Sequence, residues 1–219
     1  MKFSTETINI LKNFSQINPS IVLKRGSIIN TKSINSVIYA EATVPDVIDC
    51  EVGIYEISSF LNILNLVGTD AEISFDPQTM LIHIEGNGLR ITHEAQDQSA
   101  IAVPKNRISL NSDDAEVHIT LTQERFDQLM KACRMMNLKL ITVKGESGKI
   151  KLIASNPSDM DMKNAFIVDI AETDLPDFTY NINFDNMKMP SSAYELYFYS
   201  RCVKIESDKS MYVVALEAV

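Results

Sequence analysis

A repeated order of predicted secondary structure limits the folds open to this chain more than any other feature. Three stretches place apolar residues at helical spacing on one side, and they cover residues 4–16, 57–67 and 122–133. Ser4 and Thr122 are favourable N-cap residues for the first and third of these helices. Short β-rich runs separated by turn residues follow each helix. We therefore expect an internal repeat in which one helix precedes three strands.

The predicted strands fall into four groups of three. They cover residues 21–24, 27–32 and 37–43; 71–75, 80–85 and 89–94; 138–143, 149–155 and 165–170; and 194–200, 203–206 and 211–216. In the fourth repeat the helix is reduced to a single predicted turn at residues 185–189. Strands joined by hairpins form antiparallel sheets with one buried face, and a helix with one apolar side packs on such a face. The sequence thus predicts an α+β protein with two similar domains of two repeats each, residues 1–103 and 115–219, joined by a connector at residues 104–114.

Charge is distributed unevenly among these elements. The formal net charge is −9, and this acidity by itself argues against binding the phosphates of nucleic acid. Residues 4–17, 56–68 and 122–138, however, contain four basic and four acidic side chains, so the helices carry no net charge. The other 16 basic and 25 acidic side chains belong to strands, loops and ends. Overall acidity therefore does not decide whether a helix face can meet nucleic acid.

The sequence shows no sign of a membrane segment, a disulfide framework or a metal site. No apolar run approaches the roughly 18 residues of a membrane helix, so we expect a cytoplasmic protein. The three cysteines are far apart and lack metal-ligand spacing, which predicts reduced thiols. Asp159 and Asp161 resemble the start of a calcium loop, but the later ligand positions are wrong for one. We expect neither a metal nor a cofactor.

Catalytic motifs are also missing. His83, His93 and His118 lie in strand-like runs without a nucleophile or paired carboxylate at motif spacing. Residues 145–149 contain two glycines and a lysine, but their spacing fits a hairpin turn better than a phosphate-binding loop. We therefore expect a protein that is not an enzyme.

Several stretches resemble the sliding clamp of T-even-type bacteriophages. They are residues 11–14, 46–49, 54–55, 60–67, 71–74, 186–189 and 212–218, and the similarity is colinear over essentially the whole chain. The resemblance implies two DNA-clamp domains per subunit and a head-to-tail homotrimeric ring around duplex DNA, with helices lining the hole and antiparallel sheets outside. It also implies a non-enzymatic processivity factor for DNA replication. Its expected partners are the replicative DNA polymerase, an ATP-dependent clamp loader and late-transcription factors, in the cytoplasm of the infected host cell.

The family resemblance also assigns candidate site residues. The expected DNA-facing residues are basic and lie on or beside the helices: Lys2, Lys12, Lys131, Arg134, Lys139 and Lys188. The expected pocket for partner peptides contains Val44, Pro45, Leu110, Tyr194, Val214 and Leu216. The expected subunit interface pairs Leu89 and Ile91 of one chain with Ala165 and Ile167 of the next.

Two other functions are compatible with the residues. One is a β-rich virion or tail protein that assembles through sheet edges without binding DNA. The other is a hydrolase that uses His93 or Cys133. A clamp would be a trimer retained on circular DNA, whereas a hydrolase would lose its activity when one of these two residues is replaced.

Overall fold

The computed structural model of this protein describes residues 1–68, 70–158 and 163–218. It divides the chain into two compact units, Met1–Ile108 and Ser109–Val219. The division falls within residues 104–114, where the sequence predicts the connector. Among the described residues, no helix combines the length and apolar character needed to span a bilayer.

The described residues of unit 1 form two α-helices and seven strands. The helices are α1 (Thr5–Phe14) and α2 (Ile57–Val67). The strands are β1 (Ile21–Leu23), β2 (Gly26–Lys32), β3 (Ile38–Ile48), β4 (Val52–Ile54), β5 (Glu72–Asp76), β6 (Leu81–Gly86) and β7 (Leu89–Glu94). Antiparallel pairs join β1 to β4 and β2 to β3, and β5, β6 and β7 form a sheet in that order.

The apolar side of each helix forms the core of unit 1. Leu11 and Phe14 of α1 and Phe60 and Leu64 of α2 are buried. The rings of Phe3 and Phe60 meet edge to face, with centroids 6.4 Å apart. Burial of a side chain of this size stabilises a fold by about 1.5–3 kcal/mol. Because the apolar sides of α1 and α2 pack into the core, the polar sides of both helices face outward.

The first turn of α1 is tied to β3. The Ser4 hydroxyl accepts a hydrogen bond from the backbone N–H of Thr7 at 3.3 Å, as an N-cap does. Asp46 on β3 accepts hydrogen bonds from the Ser4 N–H and from the Thr7 hydroxyl, both at 2.6 Å. Burial alone would raise the pKa of Asp46, but these hydrogen bonds together hold that pKa below its ordinary value.

Unit 2 has one α-helix among its described residues, α3 (Gln123–Met136). Its strands are β8 (Val117–Leu121), β9 (Leu140–Glu146), β10 (Lys149–Ser155), β11 (Phe166–Glu172), β12 (Phe178–Asn183), β13 (Tyr194–Phe198), β14 (Cys202–Glu206) and β15 (Ser210–Ala215). One antiparallel sheet has the order β11, β10, β9, β12. In the second sheet, β8, β13, β14 and β15 pair in that order.

The ends of α3 follow from its sequence. The Thr122 hydroxyl accepts the backbone N–H of Arg125 at 3.3 Å, which caps the first turn. Asn137 ends the helix in the left-handed conformation at φ 53°. The buried side of α3 includes Phe126, Leu129 and Cys133, and the helix packs on β10 and β11.

The observed elements agree with an α+β fold, but the repeat is less regular than the sequence predicts. The turn predicted for the fourth repeat is a short 3-10 helix, Phe184–Asn186. The prediction of three strands per repeat omitted β4, β8 and β12. β8 has the alternating buried residues Val117, Ile119 and Leu121, but it pairs with β13, far away along the chain, so a repeat of three consecutive strands has no place for it.

Candidate nucleic-acid interface

The polar sides of α1 and α3 carry three of the predicted DNA-facing cations. Lys12 is exposed on α1, and Lys131 and Arg134 are exposed on α3. None of the three forms an ion pair with the residues that the structure describes. They therefore present full positive charges to solvent.

Two other predicted cations are already paired. The Lys2 Nζ atom lies 3.5 Å from a carboxylate oxygen of Glu72. The Lys139 Nζ atom lies 3.2 Å from a carboxylate oxygen of Asp185. Sequence reasoning predicted the lysines but missed their partners, because 70 and 46 residues of chain separate them. Lys188 is half-buried and follows the short 3-10 helix.

Helix α2 presents a surface without charge. Asn62 and Asn65 are exposed, and Leu66 has 68% of its surface accessible. A surface of this kind can contact DNA through water or through sugar edges, but it offers no cation to a phosphate.

The helices have a charge opposite in sign to the rest of the chain. Within their observed bounds, α1, α2 and α3 hold four basic and three acidic side chains. The helices thus carry +1, and the other residues carry the remaining −10 of the total of −9. The difference from the predicted helix charge of zero arises because Glu56 is the N-cap of α2 rather than a residue within it.

The strands expected at the subunit interface both lie at sheet edges. β7 is an outer strand of the sheet β5, β6, β7, and β11 is an outer strand of the sheet β11, β10, β9, β12. Leu89 on β7 is 41% exposed and Ile167 on β11 is 54% exposed. Ile91 is half-buried, and Ala165 immediately precedes β11. Each edge therefore offers unpaired backbone groups together with accessible apolar side chains.

The residues predicted to form the partner pocket differ in accessibility. Val44, Tyr194 and Val214 are buried in their own units, with at most 3% of their surface accessible. Pro45 is exposed, and Leu110 and Leu216 are half-buried. Only the last three present appreciable surface in this conformation of the chain.

Side chains that the sequence did not single out hold the segment around Leu110. In unit 1, Arg107 binds the buried carboxylate of Glu41, and the Tyr39 hydroxyl donates to the same carboxylate at 2.8 Å. Burial, followed by this contact, raises the pKa of Tyr39 to about 12. In unit 2, Lys204 donates to the Ser112 hydroxyl at 2.7 Å. Both contacts join residues distant in sequence, so no local pattern indicates them.

The residues considered for catalysis are not arranged as a catalytic site. Burial raises the pKa of Cys133 to about 11, so its sulfur stays protonated at neutral pH. His93 packs against the ring of Phe60, with centroids 6.1 Å apart. His118 stacks on Tyr197 and lies 2.7 Å from a carboxylate oxygen of Glu195.

The two remaining motif resemblances give no site. Residues 145–149 form the hairpin between β9 and β10, with Ser147 and Gly148 at positive φ, as the sequence predicts. Asp159 and Asp161 lie outside the described residues, and no group of the described side chains could hold a metal ion.

Comparisons with known proteins give the family. Residues 4–103 match the model of DNA polymerase processivity factors, and residues 118–218 match the model described as gp45 sliding clamp, C terminal. The chain is 34% identical over 225 residues to the sliding clamp of Enterobacteria phage T4, covering 100% of this chain and 97% of that protein. It is 33% identical over 232 residues to the sliding clamp of Escherichia phage RB69, with the same coverage.

Solved structures show the same fold. A structure of the PCNA of A. fulgidus superposes with a TM-score of 0.71 at 10% identity, covering 97% of this chain and 95% of that one. The predicted α+β clamp fold is confirmed by this similarity.

The relatives are processivity factors rather than enzymes, so the predictions of a replication clamp and of a protein without catalytic activity are confirmed as well. Nothing in the comparisons supports a virion protein. The chain belongs to the sliding clamp family of DNA polymerase processivity factors.

Proposed function

We propose that three copies of this chain close into a ring around duplex DNA and tether the replicative DNA polymerase during processive synthesis. The observation that carries this proposal is the division of charge, +1 on the helices and −10 elsewhere. Helices facing the hole would meet phosphate with a neutral or basic surface. Acidic sheets facing outward would discourage binding outside the hole.

The phosphate contacts in this proposal are few and weak, which suits a ring that slides along DNA. The principal DNA-facing residues of this proposal are Lys12, Lys131 and Arg134, and the secondary ones are Lys2, Lys139 and Lys188. A ring is held by topology, so weak contacts are sufficient, and strong contacts would slow its movement. The uncharged surface of α2 fits this requirement because it adds contact area without electrostatic attraction.

The trimer would be built by pairing β7 of one chain with β11 of the next. Such an interface is heterologous, and it forms a closed ring when the rotation between subunits closes. Leu89 and Ile91 would lie against Ala165 and Ile167. Their partly exposed apolar surface and the free strand edges support this assignment.

Partner proteins would bind the outer surface through short peptides. The PCNA structure from A. fulgidus contains the C-terminal region of FEN-1. A comparable site here would involve the accessible Pro45, Leu110 and Leu216 together with the buried Val44, Tyr194 and Val214. The polymerase, an ATP-dependent loader and late-transcription factors are the proposed partners. The proposed location is the cytoplasm of the infected host cell.

Reversing the charge of α3 tests the orientation of the helices. Lys131→Glu together with Arg134→Glu places carboxylates where phosphates are expected, so loader-dependent product length should fall by about fivefold or more while the trimer persists. The matched control is Lys24→Glu with Arg25→Glu, which makes the same change at exposed positions between β1 and β2. Measurements are primer extension on circular template and light scattering. Product lengths equal to wild type, or equal losses in both double variants, would contradict the assignment of α3 to the DNA side.

A further inference from the structure

The two paired lysines of the proposed DNA surface are held by backbone contacts as well as by charge. Met1 and Ile73 exchange two hydrogen bonds, from the Met1 amine to the Ile73 carbonyl at 2.7 Å and from the Ile73 N–H to the Met1 carbonyl at 2.8 Å. This pairing places Lys2 beside Glu72 in the adjacent positions. The ion pair is therefore built into the backbone arrangement of unit 1.

Unit 2 achieves the same result with different elements. The carbonyl of Lys139 accepts a hydrogen bond from the N–H of Phe184 at 2.9 Å. Asp185 follows directly, and its N–H donates to the side chain of Asn183 at 3.0 Å. The short 3-10 helix is thus fixed beside Lys139, three residues beyond the end of α3, and the carboxylate of Asp185 lies next to the lysine ammonium.

Both pairs remain accessible to a competing anion. The side chains of Lys2 and Glu72 are 54% and 73% exposed, and those of Lys139 and Asp185 are 47% and 63% exposed. A phosphate that approaches either lysine also meets the carboxylate well within the screening length of about 8–10 Å. Attraction to the ammonium is then largely cancelled by repulsion from the carboxylate.

We infer that Glu72 and Asp185 are counter-charges that weaken the hold of this clamp on DNA phosphates and so favour sliding. The inference rests on the proposed ring around DNA. It divides the basic residues into two classes: Lys12, Lys131 and Arg134 contact phosphate without a counter-charge, whereas Lys2 and Lys139 contribute little because Glu72 and Asp185 offset their charge. Glu72 and Asp185 act through these lysines and are positioning residues rather than contacts to DNA.

The test is the one-dimensional diffusion of labelled, loaded clamp on a stretched duplex with blocked ends. Glu72→Gln combined with Asp185→Asn should slow diffusion about twofold to fivefold at low salt, the range expected for releasing exposed ion pairs, and the difference should shrink as salt rises. The control combines Glu146→Gln with Glu206→Gln. Glu146 pairs with Lys144 at 2.7 Å and Glu206 pairs with Lys204 at 3.1 Å, both on sheet strands, so the control makes the same charge change away from the two tested ion pairs. Control variants should diffuse like wild type.

Two further variants show whether the effect passes through the lysines. Lys2→Gln with Lys139→Gln leaves the carboxylates of Glu72 and Asp185 uncompensated, so diffusion should be as fast as wild type or faster. Adding these changes to the Glu72→Gln, Asp185→Asn protein should restore the wild-type rate. The inference would be overturned if the Glu72→Gln, Asp185→Asn protein diffused at the wild-type rate. It would also be overturned if the control variant were slowed to the same extent. Failure of the wild-type clamp to remain on the blocked duplex would instead overturn the proposed ring.

Discussion

Asp46 shows how a single carboxylate can orient a helix. It accepts hydrogen bonds from the Ser4 N–H and the Thr7 hydroxyl and thereby joins the first turn of α1 to β3. Hydrogen bonds to an ionised acceptor are stronger than those between neutral groups. The direction in which α1 presents Lys12 consequently depends on this contact.

Replacing Asp46 by Asn should destabilise unit 1 in a pH-dependent way. At neutral pH the free energy of unfolding should fall by about 1–2 kcal/mol, as for the loss of a charged helix cap. The pKa of Asp46 is lowered in the folded chain, so its stabilising contribution is complete above the unfolded value of 3.8 and is lost as pH falls through the folded value. Chemical denaturation at pH 7 and at about pH 3 measures this difference.

The control for this prediction is Glu51→Gln, at an exposed position of the same unit. It should leave the free energy of unfolding close to that of wild type at both pH values. The free energy of unfolding of the Asp46→Asn protein could instead stay below that of wild type by the same amount at both pH values. That result would show that the hydrogen bonds do not depend on ionisation of Asp46.

At this scale the sequence indicates local contacts and misses distant ones. Ser4 and Thr122 are recognisable as N-caps because the pattern that defines them spans only a few residues. Asp46, Glu72 and Asp185 have no such pattern, since each meets its partner only after the chain has folded. The basic residues on and beside the helices can therefore be read from the sequence, whereas the carboxylates that pair with Lys2 and Lys139 cannot.

Sheet edges are the elements on which the proposed assembly depends. β7 and β11 are outer strands with accessible apolar residues, and an exposed edge invites pairing with another chain. The proposed ring uses both edges, so its closure also protects them from irregular association.

A charge placed on β11 should separate the subunits without unfolding them. Ile167 is 54% exposed, so Ile167→Lys should cost the isolated chain little stability but should leave an unpaired charge in the proposed interface. Light scattering should give about 74 kDa for wild type, three times the 24.5 kDa of the chain, and the single-chain mass for the variant at the same concentration. Leu175→Lys is the control, because Leu175 is similarly exposed at 46% but lies outside the strand.

Two results would count against the assignment of β11 to the interface. One is a trimer that persists in the Ile167→Lys protein. The other is dissociation of the Leu175→Lys protein to the same extent, which would show that added charge rather than its place on the edge disturbs assembly.

The elements themselves were only partly predictable. Helical spacing identified α1, α2 and α3 because each buries a continuous apolar side. Alternating Phe178, Tyr180 and Ile182 could have indicated β12, but this strand lies after the three that the repeat led us to expect. β8 belongs to a sheet completed much later in the chain, so its role was not visible locally.

For the whole molecule, the distribution of charge matters more than its total. A net charge of −9 would ordinarily exclude DNA as a partner, yet the helices carry +1 and 26 of the 29 acidic groups lie elsewhere. A ring that is held by topology has no need of a strongly basic surface. The acidity of the chain restricts which surface of the proposed ring meets DNA. Weak attraction between that surface and the phosphates permits movement along the duplex.

The most direct test of this account is retention of the loaded clamp on closed circular DNA. A labelled clamp placed on a nicked circle should stay bound when salt is raised and should be lost after a single cut opens the circle, because only topology holds it. Equal loss from intact and cut circles, or tight salt-sensitive binding to the ends of linear DNA, would contradict a ring that encircles the duplex.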